Sequence, residues 1–133
     1  MEAITLSWVL AAREPQQLAR FYADLLGREP DPGLSPHHWR LALPGGAELE
    51  IYRPSRQRDF PEQGRALAAC LKRPSDPNPL AALRSWVNRA EALGASVAEP
   101  PRRESFGAEA WLFDPEGNAL LLLVPLPSVT GQL

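Results

Sequence analysis

The sequence predicts an α+β fold in which two βαβββ modules form a curved, mostly antiparallel sheet around a cleft. Residues 41–51 are repeated at residues 112–122 with a constant offset of 71, and both copies contain a Pro-x-Gly turn between two apolar strand segments. The order strand, helix and three strands also occurs twice along the chain. A repeat at a fixed offset indicates a duplicated structural unit.

Residues 4–12 alternate between large and small side chains, and a period of two predicts a strand. We expect the large apolar face to pack on a helix and the small, mostly polar face to suit the wall of a cavity. The large face carries Ile4, Leu6, Trp8 and Leu10, and the small face carries Thr5, Ser7, Val9 and Ala11.

A helix is predicted next, because apolar residues recur at positions 18, 21, 22 and 25. Pro15 suits its first turn, where no N–H is needed, and Gly27 suits a left-handed cap at its end. A short extended piece, 28–33, follows.

Residues 37–43 and 47–53 are predicted to form a hairpin around Gly45 and Gly46. An even loop would pair Leu41 with Glu50 and Trp39 with Tyr52. That register sends His38 and Arg40 to the helix side, so either this strand lies at an uncovered edge or the loop is odd. A shift of one residue would move every side chain of the strand to the other face.

The second module repeats this order. We expect a strand at 65–72, a helix from Asn78-Pro79 to Gly94, a short strand at 95–99, and a hairpin formed by 106–113 and 118–124. An even turn in this hairpin would place Trp111 and Phe113 in the core. Residues 1–133 are interpreted as a single domain made of two modules, 1–55 and 65–125, joined by an arginine-rich connector, 53–64.

Composition restricts the classes of partner. The formal net charge of −2 indicates neither nucleic-acid nor membrane binding, and the longest apolar run, residues 119–126, is too short to span a bilayer. Cys70 is the only cysteine, so no intrachain disulfide can form. With no secretory signal pattern at the N-terminus, we expect a cytoplasmic protein.

Several segments together resemble the vicinal oxygen chelate superfamily, which includes glyoxalase I, bleomycin-resistance proteins and extradiol dioxygenases. The resemblance implies two βαβββ modules around a cleft that, in the metalloenzymes, holds a divalent ion. The resembling segments are 7–27, Glu48-Leu49-Glu50, Leu93-Gly94-Ala95 and Asp114-Pro115-Glu116-Gly117-Asn118.

The resemblance also places the four metal-ligand positions of the superfamily on this chain. They fall on Ser7, Glu50, a residue near Arg65 or Ala66, and Leu121. Only Glu50 is a plausible ligand, whereas a divalent ion needs three or four nitrogen or oxygen donors. We therefore expect no metal site and no cofactor. His37 and His38 are adjacent on a strand, point to opposite faces, and lie at none of these positions.

Strand parity predicts the residues that line the cleft. Glu50 is the best candidate for a catalytic base or for binding a cationic group of a ligand, and its alternative is a carboxylate paired with an arginine or left in solvent. Trp39 and Tyr52 either stack on a planar ligand or form a cross-strand pair. Arg53, Arg56 and Arg58 of the connector either bind an anion or are simply solvated. The predicted ligand-binding set is Ser7, Trp39, Leu41, Glu50, Tyr52, Leu121 and Leu123.

These residues favour a metal-free protein that sequesters or carries a partly aromatic small molecule, and the resemblance implies a homodimer as its assembly. One alternative is a metal-dependent lyase, isomerase or dioxygenase of the same superfamily with atypical ligands. Another is a non-catalytic dimeric interaction module in which side chains close the cleft. Metal analysis and ligand screening distinguish these hypotheses.

Overall fold

The computed structural model describes residues 3–128 and contains two compact units, which divide between Glu62 and Gln63. We call the first unit 1 and the second unit 2. Each unit has one α-helix and one mixed four-stranded sheet, in the chain order strand, helix and three strands. The predicted fold class of two βαβββ modules is therefore confirmed. That the modules make one domain stays a prediction.

In unit 1 the sheet order is β1-β4-β3-β2, with β1 parallel to β4 and the other pairs antiparallel. A 3-10 turn at Pro44–Gly46 joins the two longer hairpin strands. The elements are β1 (Ser7–Ala11), α1 (Pro15–Leu26), β2 (Asp31–Pro32), β3 (His38–Ala42) and β4 (Glu48–Tyr52).

Unit 2 has the equivalent order, β5-β8-β7-β6, with β5 parallel to β8. Its edge strand β6 is longer than predicted and continues through Pro100 and Pro101, where its register shifts. Prolines are tolerated there because an edge strand can leave N–H positions unpaired. The elements are β5 (Ala69–Lys72), α2 (Pro79–Ala92), β6 (Ser96–Glu104), β7 (Gly107–Phe113) and β8 (Ala119–Pro125).

Both helices begin and end where local sequence signals predict. Gly27 adopts a left-handed conformation, with φ of 68°, and its N–H caps α1 by donating to the carbonyl of Ala23. The side chain of Asn78 accepts a hydrogen bond from the N–H of Ala81 at the start of α2. Gly94, also at positive φ, follows the end of α2.

The apolar core of each unit lies between its helix and one face of its sheet. We call the opposite face of each sheet its distal face. In unit 1, Leu41 and Ile51 are fully buried on the side that α1 contacts. In unit 2, Leu112, Leu120 and Leu122 are fully buried on the side that α2 contacts.

The predicted register of both hairpins is wrong by one residue. Arg40, and not Leu41, pairs with Glu50, and Trp111 pairs with Leu121. Each loop holds five residues, an odd number, and closes through one backbone bond from its first residue to its last: Leu43 to Ala47, and Asp114 to Asn118, both at 2.8 Å. Because side chains alternate along a strand, this shift exchanges the two faces of β3 and of β7.

The segment between Tyr52 and Ala69 contains no helix or strand. In unit 1 the guanidinium of Arg13 lies 4.2 Å from the ring centre of Phe60, and in unit 2 the side chain of Gln63 donates to the carbonyl of Glu116 at 2.6 Å. The boundary between the units thus falls inside the predicted connector. Within residues 3–128, neither helix is long and apolar enough to cross a bilayer.

Candidate functional site

A polar cluster is built around Glu50 on the distal face of unit 1. Ser7 on β1 donates its hydroxyl hydrogen to Oε2 of Glu50 at 2.7 Å. Nε2 of His38 on β3 lies 3.0 Å from Oε1 of the same carboxylate. Arg40 pairs with Glu50 across the two strands, so its side chain shares this face. We call Ser7, His38, Arg40 and Glu50 the Glu50 cluster.

The tautomer of the neutral His38 ring follows from the hydrogen bond that its other nitrogen makes. Nδ1 accepts the backbone N–H of Leu34 at 2.8 Å, so the hydrogen of the neutral ring lies on Nε2. Nε2–H therefore donates to Glu50, and the imidazole is held at both nitrogens. A side chain at Gly33 would overlap with Cγ and Nδ1 of His38. Glycine at position 33 is what allows the ring to approach the backbone.

The surroundings of Glu50 favour its charged form. The hydrogen bond from Ser7 is the largest effect that lowers the pKa of this carboxyl below its ordinary value of 4.5. The hydrogen bond from His38 and the positive charge of Arg40 act in the same direction, and partial desolvation opposes them. The side chain is 28% exposed. At neutral pH the cluster therefore presents a fixed, accessible carboxylate.

Arg40 is a member of the cluster whose own hydrogen bonding is incomplete. Its Nε is buried and has no hydrogen-bond partner among the described residues. Glu50 and Asp31 are its register partners on the neighbouring strands, yet no ion pair joins Arg40 to a described carboxylate. Both oxygens of Glu50 are already held by Ser7 and His38. The guanidinium is thus left with donors to spare.

The register correction moves two residues of the predicted ligand-binding set to the other face of the sheet. Trp39 pairs with Ile51, and Leu41 pairs with Leu49, so both lie on the α1 side of the sheet. Leu41 is fully buried, and the indole N–H of Trp39 is buried without a described partner. The odd loop replaces them on the distal face with His38 and Arg40. Tyr52 keeps the predicted face and pairs with His38.

Leu121 and Leu123 lie on the distal face of unit 2, as parity predicts, and both are half-buried. The prediction that Trp111 and Phe113 belong to the core is wrong, since Trp111 pairs with Leu121 and both aromatic residues share the distal face. Neither is fully buried. Ligand binding by Leu121 and Leu123 stays a prediction.

Charged groups on the same side of unit 2 pair with one another. Arg102 contacts Glu99 at 3.0 Å, Glu104 at 2.7 Å and Glu109 at 2.5 Å. Arg65 pairs with Glu99, and its guanidinium lies 4.5 Å from the ring centre of Trp111. The hydrogen bonds from Arg65 and Arg102 lower the pKa of Glu99. This network satisfies its own charges.

The structure also corrects the prediction of which residue in unit 2 is equivalent to Ser7. Val9 pairs with Glu50 in unit 1, and Cys70 pairs with Leu121 in unit 2. Two residues before Cys70, Ala68 takes the place of Ser7; the prediction of Arg65 or Ala66 is wrong by two or three residues. The reason is that β5 begins only at Ala69, so residues 65–68 are not part of the strand.

Residues 7–123 match the model of the glyoxalase-like domain family. The chain belongs to this family. Solved structures place it in the same fold. The glyoxalase/bleomycin resistance protein/dioxygenase family enzyme from Burkholderia phytofirmans PsJN has 17% identity and a TM-score of 0.75, with 93% of this chain and 100% of that chain covered.

A glyoxalase-related enzyme from Fulvimarina pelagi has 15% identity and a TM-score of 0.71, covering 93% of this chain and 88% of that one. The oxidase ChaP-H2 has 22% identity and a TM-score of 0.61, covering 96% and 98%. At these identities the likeness shows the fold alone. No match is found among curated proteins.

The side chains at the positions that the superfamily resemblance assigns to metal ligands offer few donor atoms for a divalent ion. Leu121 and Ala68 have no donor atom, and the hydroxyl of Ser7 is committed to Glu50. His38 offers Nε2, but that nitrogen carries the hydrogen that it donates to Glu50. Within residues 3–128, no three His, Cys, Asp or Glu side chains are grouped so that they could hold a metal.

Sequence reasoning missed His38 and Arg40 as members of the site. The signal available was their conflict with the even loop, which would have put a histidine and an arginine against the helix. Burying an unpaired cation is costly, so that conflict favoured the odd loop.

Proposed function

We propose that this glyoxalase-like protein binds a small molecule without a metal ion and sequesters or carries it. The observation that supports this most directly is the Glu50 cluster, in which Ser7 and His38 hold a charged carboxylate beside a guanidinium that has no ion pair with any described residue. Tyr52 adds an aromatic surface on the same face. A few oriented polar groups next to an aromatic side chain are typical of small-molecule sites.

The homodimer and the cytoplasmic location belong to this proposal. The edge strand β1 and the residues before it expose large apolar side chains, and such surfaces are common at protein interfaces. We expect sedimentation equilibrium to give twice the chain mass, whereas a monomer at micromolar concentration would contradict the dimer. The exposed residues are Ile4, Leu6, Trp8 and Val9.

A thermal-shift screen against aromatic metabolites and divalent ions tests the binding function. A ligand at a hundred times its dissociation constant stabilises the folded state by about 2.7 kcal/mol. We expect aromatic compounds to raise the Tm of the wild type and divalent ions to leave it unchanged. Glu50→Gln should reduce the ligand-induced shift, and Glu62→Gln, which alters an exposed carboxylate of the same unit, should not.

One observation favours a metal-dependent enzyme as the second candidate. His38 adds a nitrogen donor beside Glu50, so the site has more potential ligands than the sequence indicates. Binding would require the ring to lose its hydrogen bond to Leu34 or to Glu50. Stoichiometric metal that survives dialysis of the wild type, and is lost in both Glu50→Gln and His38→Gln, would favour this enzyme over the metal-free protein.

A further inference from the structure

We propose that the ligand of unit 1 is an aromatic acid, with its carboxylate bound by Arg40 and an adjacent hydroxyl or amine donating to Glu50. This inference rests on the proposed small-molecule function and gives the ligand a chemical class. It also assigns Arg40 as the residue that determines specificity for the acid. All the residues that support this assignment belong to unit 1.

Arg40 has hydrogen-bond donors for which the described residues supply no acceptor. A buried guanidinium N–H without a partner costs free energy, and such groups in folded proteins are normally satisfied. A carboxylate fits a guanidinium in a planar, two-bond arrangement that other anions and neutral groups match less well. Because Nε is buried and the residue as a whole is only partly buried, the carboxylate has to reach the guanidinium through its terminal nitrogens, Nη1 and Nη2.

The carboxylate of Glu50 can accept more hydrogen bonds than it receives from Ser7 and His38. Each carboxylate oxygen can accept about two hydrogen bonds, and in Glu50 one oxygen is used by Ser7 and the other by His38. One further acceptor direction remains on each oxygen. Because Glu50 is charged, it repels a carboxylate and attracts a donor, so the acid group of the ligand belongs on Arg40 and the donor on Glu50.

The distance between Arg40 and Glu50 suits a ligand that carries an acid and a donor close together. Arg40 and Glu50 are direct partners on β3 and β4, where Cβ atoms lie roughly 5 Å apart. A donor one carbon away from a carboxylate, as in a 2-hydroxy acid, spans such a gap. Tyr52, two residues beyond Glu50 on the same face, is then placed to contact an aromatic ring of the ligand.

Isothermal titration with matched acid and amide pairs tests this assignment. The probes are mandelate against mandelamide and indole-3-acetate against indole-3-acetamide, in which the neutral amide has nearly the shape of the acid. We expect the wild type to prefer each acid by roughly ten- to a hundredfold, the value of one charge-assisted pair. Phenylacetate, which lacks the hydroxyl of mandelate, should bind more weakly than mandelate.

Arg40→Gln should abolish the preference for the acids over the amides, and a circular dichroism spectrum and a Tm close to those of the wild type show that the variant is folded. Arg40→Lys should retain part of the preference, because it keeps the charge but not the planar fork. Arg84→Gln, which changes an exposed arginine on α2, should behave as the wild type.

The two proposals fail differently. If aromatic compounds stabilise the wild type but acids bind no better than amides, or if Arg40→Gln keeps the preference, the assignment of an acid is wrong and the binding function stands. If neither acids nor amides bind and no aromatic compound shifts the Tm, the binding function is wrong and the acid assignment falls with it.

Discussion

The two units share one backbone plan and differ in the chemistry of their distal faces. The offset of 71 relates the paired residues of both hairpins, so Arg40 and Glu50 of unit 1 correspond to Trp111 and Leu121 of unit 2. On the helix side the equivalent positions stay apolar, as Leu49 and Leu120 illustrate. Residues that bury against the helix are constrained by packing, whereas those on the distal face are free to diverge.

The charged groups of the two faces are organised differently. In unit 2, Arg102 is surrounded by three glutamates, and Arg65 lies between Glu99 and Trp111. In unit 1 the carboxylate of Glu50 is bound by the hydroxyl of Ser7 and the imidazole of His38, and Arg40 has no ion pair among residues 3–128. A network that satisfies itself stabilises a strand pair, but an unpaired cation beside a held carboxylate suits a ligand. The distal face of unit 1 is therefore the one on which we propose that the ligand binds.

The largest expected effect is a loss of stability when the turn that connects the hairpin strands of unit 2 is altered. Asp114 is buried and accepts hydrogen bonds from the backbone of Glu116 and from the backbone and side chain of Asn118. The equivalent residue in unit 1 is Leu43, which has no such carboxylate. We expect Asp114→Ala to lower the free energy of unfolding by about 3 kcal/mol, measured by urea denaturation.

The matched control for Asp114→Ala is Asp59→Ala, which removes an exposed carboxylate and should stay within about 0.5 kcal/mol of the wild type. An Asp114→Ala protein as stable as this control would mean that the two turns differ in sequence only, and that unit 2 does not depend on its buried aspartate.

The second effect concerns the close approach of His38 to the backbone. The equivalent position in unit 2 is Glu109, which pairs with Arg102 instead. Gly33→Ala should displace the imidazole and cost about 2 kcal/mol of stability through overpacking. The ¹⁵N shifts of His38 should change from the Nε2–H form towards a mixture of tautomers.

Gly64→Ala is the control for Gly33→Ala, because nothing lies within 4 Å of the added Cβ and the residue is not at positive φ. It should leave both the Tm and the His38 spectrum close to those of the wild type. An unchanged His38 spectrum in Gly33→Ala would show that the ring does not depend on this close approach.

The smallest effect concerns the charge of Glu50. Ser7→Ala introduces the residue that occupies the equivalent position, 68, in unit 2. In this variant the pKa of Glu50 should rise towards its ordinary value, because the hydrogen bond that lowers it most is lost. Carbon-detected NMR titration of the Glu50 carboxyl measures this change. Ser55→Ala, in the exposed connector, should leave the midpoint unaltered.

The direction in which stability changes with pH follows from the same lowered pKa of Glu50. A carboxyl whose pKa is lower in the folded than in the unfolded state stabilises the fold above its ordinary value of 4.5, and this stabilisation is lost as the pH falls through the folded pKa. Ser7→Ala should therefore lose stability above pH 4.5 relative to the wild type and show a smaller decline on acidification. Equal acid profiles would contradict a role for Ser7 in holding the charge.

Local signals in the sequence determined the duplicated plan, the helix bounds and the turns. A left-handed glycine, an asparagine cap and an apolar period act over a few residues, so Gly27, Asn78 and the repeat at offset 71 could be interpreted without tertiary contacts. That Ser7 and Glu50 share one face of the sheet also followed, because each position comes from strand parity within one uninterrupted strand. These are the parts of the fold in which the nearest residues along the chain decide the conformation.

Only the tertiary structure decided which face each hairpin strand presents. The five-residue loops are closed by backbone bonds between strands, and one residue more or less in such a loop exchanges Leu41 for Arg40 beside Glu50. The choice depends on the free energy of burying leucine against α1 and keeping arginine away from it, which is a property of the packed unit. For that reason the sequence identified the carboxylate of Glu50 but left open on which face His38 and Arg40 lie.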